Sequence, residues 1–143
     1  MIAVDTSVAI AALSPWHERR ADAAATCKDG AAIPAHALFE AYATLTRMPE
    51  PLRISGHVAV AAPDRAWRRR TLVAPADLTT AVPRILARAS VTGGSSYNAL
   101  VALTAQEHER TLISLDLGAE RTYRLLDITY RLLTEALDDP PRS

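Results

Sequence analysis

At 143 residues, 49% of them apolar, the chain has the length and apolar content of one domain with its own core. Sixteen basic residues balance sixteen acidic ones, which excludes a field that would draw the whole domain onto nucleic acid, so any such contact must be local. The single cysteine, Cys27, excludes an internal disulfide and a cysteine-built zinc site. With no run near the ~20 apolar residues of a membrane helix and no leader-like start, the expected location is the cytoplasm.

Ile2 to Val4 is a short apolar run ending in Asp5, and Thr6 to Leu13 follows as a helix with a small polar cap, so the chain opens as strand, acid, helix. Ser14-Pro15 breaks that helix, and His17 to Lys28 forms a second, charged and alanine-rich, ended by Gly30. Ala31 to Pro34 reads as strand two. His36 to Met48 is helical with an apolar stripe of Leu38, Tyr42 and Leu45, from which Glu40 points away.

Met48-Pro49-Glu50-Pro51 stops this helix, because proline disfavours helical geometry in the residue before it. Ser55 to Arg70 is helical, with Pro63 either kinking it or starting another helix, and Thr71 to Val73 is a third strand. Asp77 to Val91 is helical, and Gly93-Gly94-Ser95 turns the chain into a helix from Ser96 to Glu109 that carries Asn98. Thr111 to Leu115 is the clearest strand and ends in Asp116. After a short helix near Gly118 to Thr122, Leu125 to Ile128 is expected as the last strand, and 134–143 as a loose tail after a single domain over 1–133.

Alternating strands and helices predict an α/β fold with a mostly parallel sheet covered on both faces, whose ligand sites lie at the carboxyl ends of the strands. Asp5 and Asp116 close two strands, and Glu40 and Asn98 sit in early helical turns, so all four can converge at one end of the sheet. Clustered carboxylates repel and raise one another's pKa unless a cation neutralises them. Oxygen donors without His or Cys at ligand spacing favour a hard ion, Mg²⁺ or Mn²⁺, and metal-assisted phosphodiester hydrolysis. Spacing alone leaves open that these acids are helix caps and dipole partners.

Four segments carry a family resemblance. Ile2-Ala3-Val4-Asp5-Thr6-Ser7-Val8 resembles the opening of PIN domains, and Leu38-Phe39-Glu40-Ala41-Tyr42 their second motif. Gly93 through Ala102, with Asn98, is similar to the third, and Thr111-Leu112-Ile113-Ser114-Leu115-Asp116 to the fourth. The order and spacing resemble the PIN-domain ribonuclease toxins of type II toxin–antitoxin systems, the VapC family, from Met1 to about Leu133.

The resemblance implies a three-layer α/β/α sandwich and a metal-dependent endoribonuclease with Asp5, Glu40, Asn98 and Asp116 as metal-site residues. It also implies an RNA substrate such as tRNA or rRNA, a VapB-type antitoxin, and a homodimer that forms a heterotetramer or larger assembly with it. Asn98 departs from the pattern, because the family carries Asp there. An amide offers one neutral oxygen and cannot take up a proton, so activity is expected to be weakened or lost. The competing reading is a catalytically inactive PIN-fold module that only binds protein.

Two other parallel-sheet readings fail on single residues. A haloacid-dehalogenase-type hydrolase needs a second Asp two positions after the first, where this chain has Ser7, and a receiver domain needs a late Lys, whereas Lys28 is the sole lysine. The cluster Arg65, Arg68, Arg69 and Arg70 can guide an RNA backbone or simply form a solvated face. Trp16 and Trp67 are assigned to core or interface, and His17, His36, His57 and His108 lack metal-ligand spacing.

Overall fold

A computed structural model of the chain describes residues 1–133 and 141–142. Strand β1 (Ile2–Val4) leads into helix α1 (Thr6–Leu13), then α2 (Arg20–Lys28), β2 (Ile33–Pro34) and α3 (Ala35–Arg47). Helix α4 (Gly56–Trp67), β3 (Thr71–Leu72), α5 (Ala76–Arg88) and α6 (Ser95–Glu107) follow, then β4 (Thr111–Ser114). A 3-10 turn over Leu117–Ala119, helix α7 (Glu120–Leu125) and β5 (Tyr130–Leu132) complete the fold.

β1 pairs in parallel with β4, with Val4 opposite Ile113, and β4 pairs in parallel with β5. β2 pairs in parallel with β3, and a parallel bridge between Ala3 and Ala32 joins that pair to β1. Val4 N donates to Ala32 O at 2.8 Å, and Ala32 N donates to Ile2 O at 3.0 Å. The strand order is therefore β3-β2-β1-β4-β5. The chain leaves β1 toward β2 on one side and reaches β4 on the other, so the sheet's switch point is the carboxyl end of β1, where Asp5 stands. The expected α/β/α sandwich is the fold observed.

The core is built from small side chains. α3 buries Ala37, Ala41 and Leu45, while Tyr42, expected on its apolar stripe, is exposed. Alanines at i and i+4 let α1 and α3 approach closely, a contact that a pattern weighted toward large side chains overlooks. Trp67 is the largest fully buried side chain, as its core assignment requires, and Trp16 is exposed. Trp67→Ala should cost about 3–5 kcal/mol of stability and lower the urea midpoint accordingly.

Pro63 and Pro83 lie inside α4 and α5, so Pro63 does not start a separate helix. The last strand is Tyr130–Leu132 and not Leu125–Ile128. Leu125 ends α7, Leu126 caps it, and Asp127 takes a left-handed φ of 53°, which turns the chain before the pairing begins. Of the expected tail, 134–140 and 143 lie outside the described residues; Arg142 exchanges two backbone hydrogen bonds with Tyr130. Among the described residues no helix is long and apolar enough to cross a membrane.

Candidate metal centre

Asp5 directly follows β1 and caps α1. Its Oδ1 accepts from Val8 N at 3.1 Å and from the Ser7 hydroxyl, and its Oδ2 accepts from the Tyr123 hydroxyl at 2.9 Å. The side chain is buried, and burial pushes its carboxyl above the usual carboxylate value against the lowering effect of bonds from Ser114, Ser7, Val8 and Tyr123. Burial, then the charge of Asp5, drives the Tyr123 phenol upward as well, so it stays a neutral donor.

Two hydroxyls next to Asp5 bring the other acids toward it. Thr6 Oγ1 donates to Glu40 Oε1 at 3.0 Å, tying the second turn of α3 to the start of α1. Ser7 Oγ accepts from Leu115 N at 2.8 Å, tying α1 to the residue before Asp116. Ser114 Oγ accepts from Asp116 N at 3.0 Å, and Asp116 Oδ1 accepts from Gly118 N at 2.9 Å. A Cβ on Gly118 would come 3.1 Å from that oxygen, so the bare backbone lets the 3-10 turn wrap this carboxylate.

Asp5, Glu40 and Asp116 are thus linked through Thr6, Ser7 and Ser114. Asn98, half-buried in the first turn of α6, makes no hydrogen bond to them among the described residues. Its neighbour Tyr97 stacks on His36, which brings the amino ends of α6 and α3 together. His36 Nε2 lies 3.6 Å from Glu40 Oε1, beyond a good hydrogen bond. A cleft of about 500 Å³, lined by Ser7, Ile10, His17, Arg19 and Asp116 among others, gives solvent access to Asp116.

The sequence alone does not mark the supporting residues Tyr123 and His36 as parts of the site, and it gives Ser114 no role of its own within its motif. Tyr123 lies 118 positions from Asp5 in a helix with no motif, and only the folded chain brings the two together. The basic cluster divides: Arg65, Arg68 and Arg69 are exposed, whereas Arg70 donates to the carbonyls of Ala66 and Cys27. Cys27 is buried, and burial pushes its thiol up to about 11, which suits a packed core residue.

The donor set consists of oxygens alone, and the buried Asp5 carboxylate is one whose charge a nearby cation would offset, so these residues fit a hard divalent ion. Among the described residues no three His, Cys, Asp or Glu side chains gather closely enough to enclose an ion.

The PIN domain family model matches residues 2–125. Ribonuclease VapC40 of Mycobacterium tuberculosis is 37% identical over 134 residues, covering 94% of this chain and all of that protein. Ribonuclease VapC27 of the same organism is 40% identical over 134 residues, covering 89% of this chain and 93% of its own length. Two solved structures share the fold at a TM-score of 0.65 and 16% identity, each covering 95% of this chain. One is FitAB bound to the IR36 DNA fragment, of which 97% is covered, and the other FitAcB from Neisseria gonorrhoeae, covered completely. Matched by the family model over most of its length, and by two VapC ribonucleases over nearly all of it, the chain belongs to the PIN-domain family and, within it, to the VapC ribonuclease toxins.

Proposed function

We propose that this chain is a metal-dependent endoribonuclease toxin, neutralised by a VapB-type antitoxin and weakened by Asn98, with Asp5, Glu40, Asn98 and Asp116 at its metal centre. The observation that carries this reading is the set of hydroxyls at the sheet's switch point: Thr6 holds the Glu40 carboxylate, Ser7 holds that of Asp5 together with the backbone of Leu115, and Ser114 holds the backbone of Asp116. Asp5, Glu40 and Asp116 would hold Mg²⁺ or Mn²⁺ through their carboxylates, with Asn98 offering its amide oxygen. When bound, such an ion would supply Lewis-acid polarisation of the phosphoryl oxygen and of the attacking water.

The chain's own residues set the geometry. Ser7, Val8 and Tyr123 fix the Asp5 carboxylate in one orientation, and its burial excludes water from it. Thr6 holds Glu40, and the Gly118 turn holds Asp116. Asn98 carries no charge and accepts no proton, so it would add a neutral oxygen donor without offsetting the ion's charge.

Mn²⁺ at millimolar concentration should raise the thermal midpoint of the chain, because an ion bound only by the folded state stabilises it by mass action. Glu40→Gln and Asp116→Asn should each reduce that rise. An equal rise in both variants would move the metal away from these acids.

Apolar residues of α1, α2 and α4, among them Leu13, Ala24, Ala62 and Ala66, line a groove of about 480 Å³ rimmed by Arg20, Lys28 and Arg65. This groove suits an amphipathic antitoxin segment carrying acidic groups. The substrate in this reading is RNA, tRNA or rRNA, and the assembly a homodimer joined by antitoxin into a heterotetramer or larger. The second reading, an inactive PIN module that only binds protein, is favoured by one observation, Asn98.

A further inference from the structure

The end of the molecule that carries Glu40 and Asn98 also displays aromatic rings that metal-assisted hydrolysis does not use. His36 lies one turn before Glu40 in α3, and Tyr97 immediately precedes Asn98 in α6. Their rings lie face to face, with centroids 5.8 Å apart and planes 5° from parallel. Phe39 stands beside His36 with its centroid 6.3 Å away. Phe39 is 68% exposed and Tyr97 57%, so two large aromatic side chains remain in water at the edge of the acids.

The stacked pair also walls a second space. A cleft of about 470 Å³ between α5 and α6 is lined by Val82, Leu86, Val91 and Leu100, with His36 and Tyr97 at its border. Polar contacts are few, chiefly the hydroxyls of Thr79, Thr92 and Ser96. A flat ring with apolar faces and hydrogen-bonding edges matches such a slot. His36 is common to both places, because its Nε2 lies 3.6 Å from the Glu40 carboxylate while its ring borders the cleft.

We infer that the cleft and the His36–Tyr97 pair receive one unpaired nucleobase of the RNA beside the scissile phosphodiester. The inference rests on the nuclease reading for its substrate and narrows it to single-stranded or looped RNA, because a base inside a duplex cannot leave its stack without cost. Stacking on aromatic rings tolerates any base, so the slot selects exposed bases over paired ones more strongly than one base over another.

The test is equilibrium binding, with Mg²⁺ present, of a single-stranded RNA carrying 2-aminopurine to the uncleaving Asp5→Asn chain. Binding should quench the probe. Tyr97→Ala should weaken binding about tenfold and remove the quench, whereas Tyr97→Phe should keep both. Leu86→Trp, which fills the cleft, should weaken binding similarly, and the same strand in a duplex should bind with an affinity independent of Tyr97.

Unchanged affinity and quench in Tyr97→Ala would overturn the inference. So would a shift of that variant from dimer to monomer in sedimentation without any loss of quench, which would give this face to a second copy of the chain. Failure of the nuclease reading looks different: Tyr97-dependent quenching would persist while Asn98→Asp cut no RNA with any metal.

Discussion

Replacing Asp5 by Asn should move activity and stability in opposite directions. Cleavage should fall on the order of 100- to 1,000-fold, the usual loss when one preorganised electrostatic group is removed from an active site. Metal-free stability at neutral pH should rise. Burial raises the Asp5 carboxyl above its ordinary 3.8, so the folded chain holds that proton more tightly than the unfolded one. Stability therefore falls as pH climbs from about 3.8 to the folded value, and the penalty is complete above it.

The amide introduced by Asp5→Asn lacks this slope and can keep the contacts. Its oxygen can accept from Val8 N and Ser7, and its NH₂ can face the Tyr123 hydroxyl, which turns to donate to Ser114. Asp5→Ala loses the helix cap and leaves the Tyr123 hydroxyl short of an acceptor, so it should lie about 2–4 kcal/mol below Asp5→Asn. Urea unfolding of the three chains at acid and neutral pH, with EDTA present, checks this. The gain of Asp5→Asn should appear at neutral pH and vanish at acid pH, and a gain at acid pH alone would reverse the argument.

The second large effect concerns Asn98. Placing a carboxylate there adds one negative charge beside Asp5, Glu40 and Asp116, and in the proposed metal centre it would give the ion an anionic donor in place of a neutral one. Cleavage should rise about 10- to 100-fold, a span that changes even in the outer partners of metal sites produce. The same charge should lower stability without metal, through repulsion, and enlarge the Mn²⁺-induced rise in midpoint. A variant that gains activity without a larger metal response would place the effect of residue 98 on the substrate instead of the ion.

The strand ends that carry Asp5 and Asp116 were legible in the sequence because they are written locally. The run Ile2-Ala3-Val4 followed by Asp5, and Thr111-Leu112-Ile113-Ser114-Leu115 followed by Asp116, each place strand, acid and cap within a few residues, and the two strands pair side by side. What stayed illegible depends on distant partners. The Leu125 to Ile128 segment looks like a strand by composition, yet helix α7 claims Leu125 and Asp127 turns the chain, leaving pairing to Tyr130 and Leu132. Tyr42 fits an apolar stripe in α3, but the contact that matters is made by alanines small enough to admit α1. Tyr123 reaches Asp5 from a helix at the other end of the chain, and no local pattern encodes that hydrogen bond.

The most direct measurement compares RNA cleavage by the chain and by its Asn98→Asp variant, with Mg²⁺, with Mn²⁺ and with EDTA, using Asp5→Asn in the same background as the blank. The account predicts cleavage that EDTA stops, that rises when residue 98 becomes a carboxylate and that disappears when Asp5 becomes an amide. Cleavage unaffected by EDTA and by Asp5→Asn, or no cleavage by either form with either metal, would contradict it.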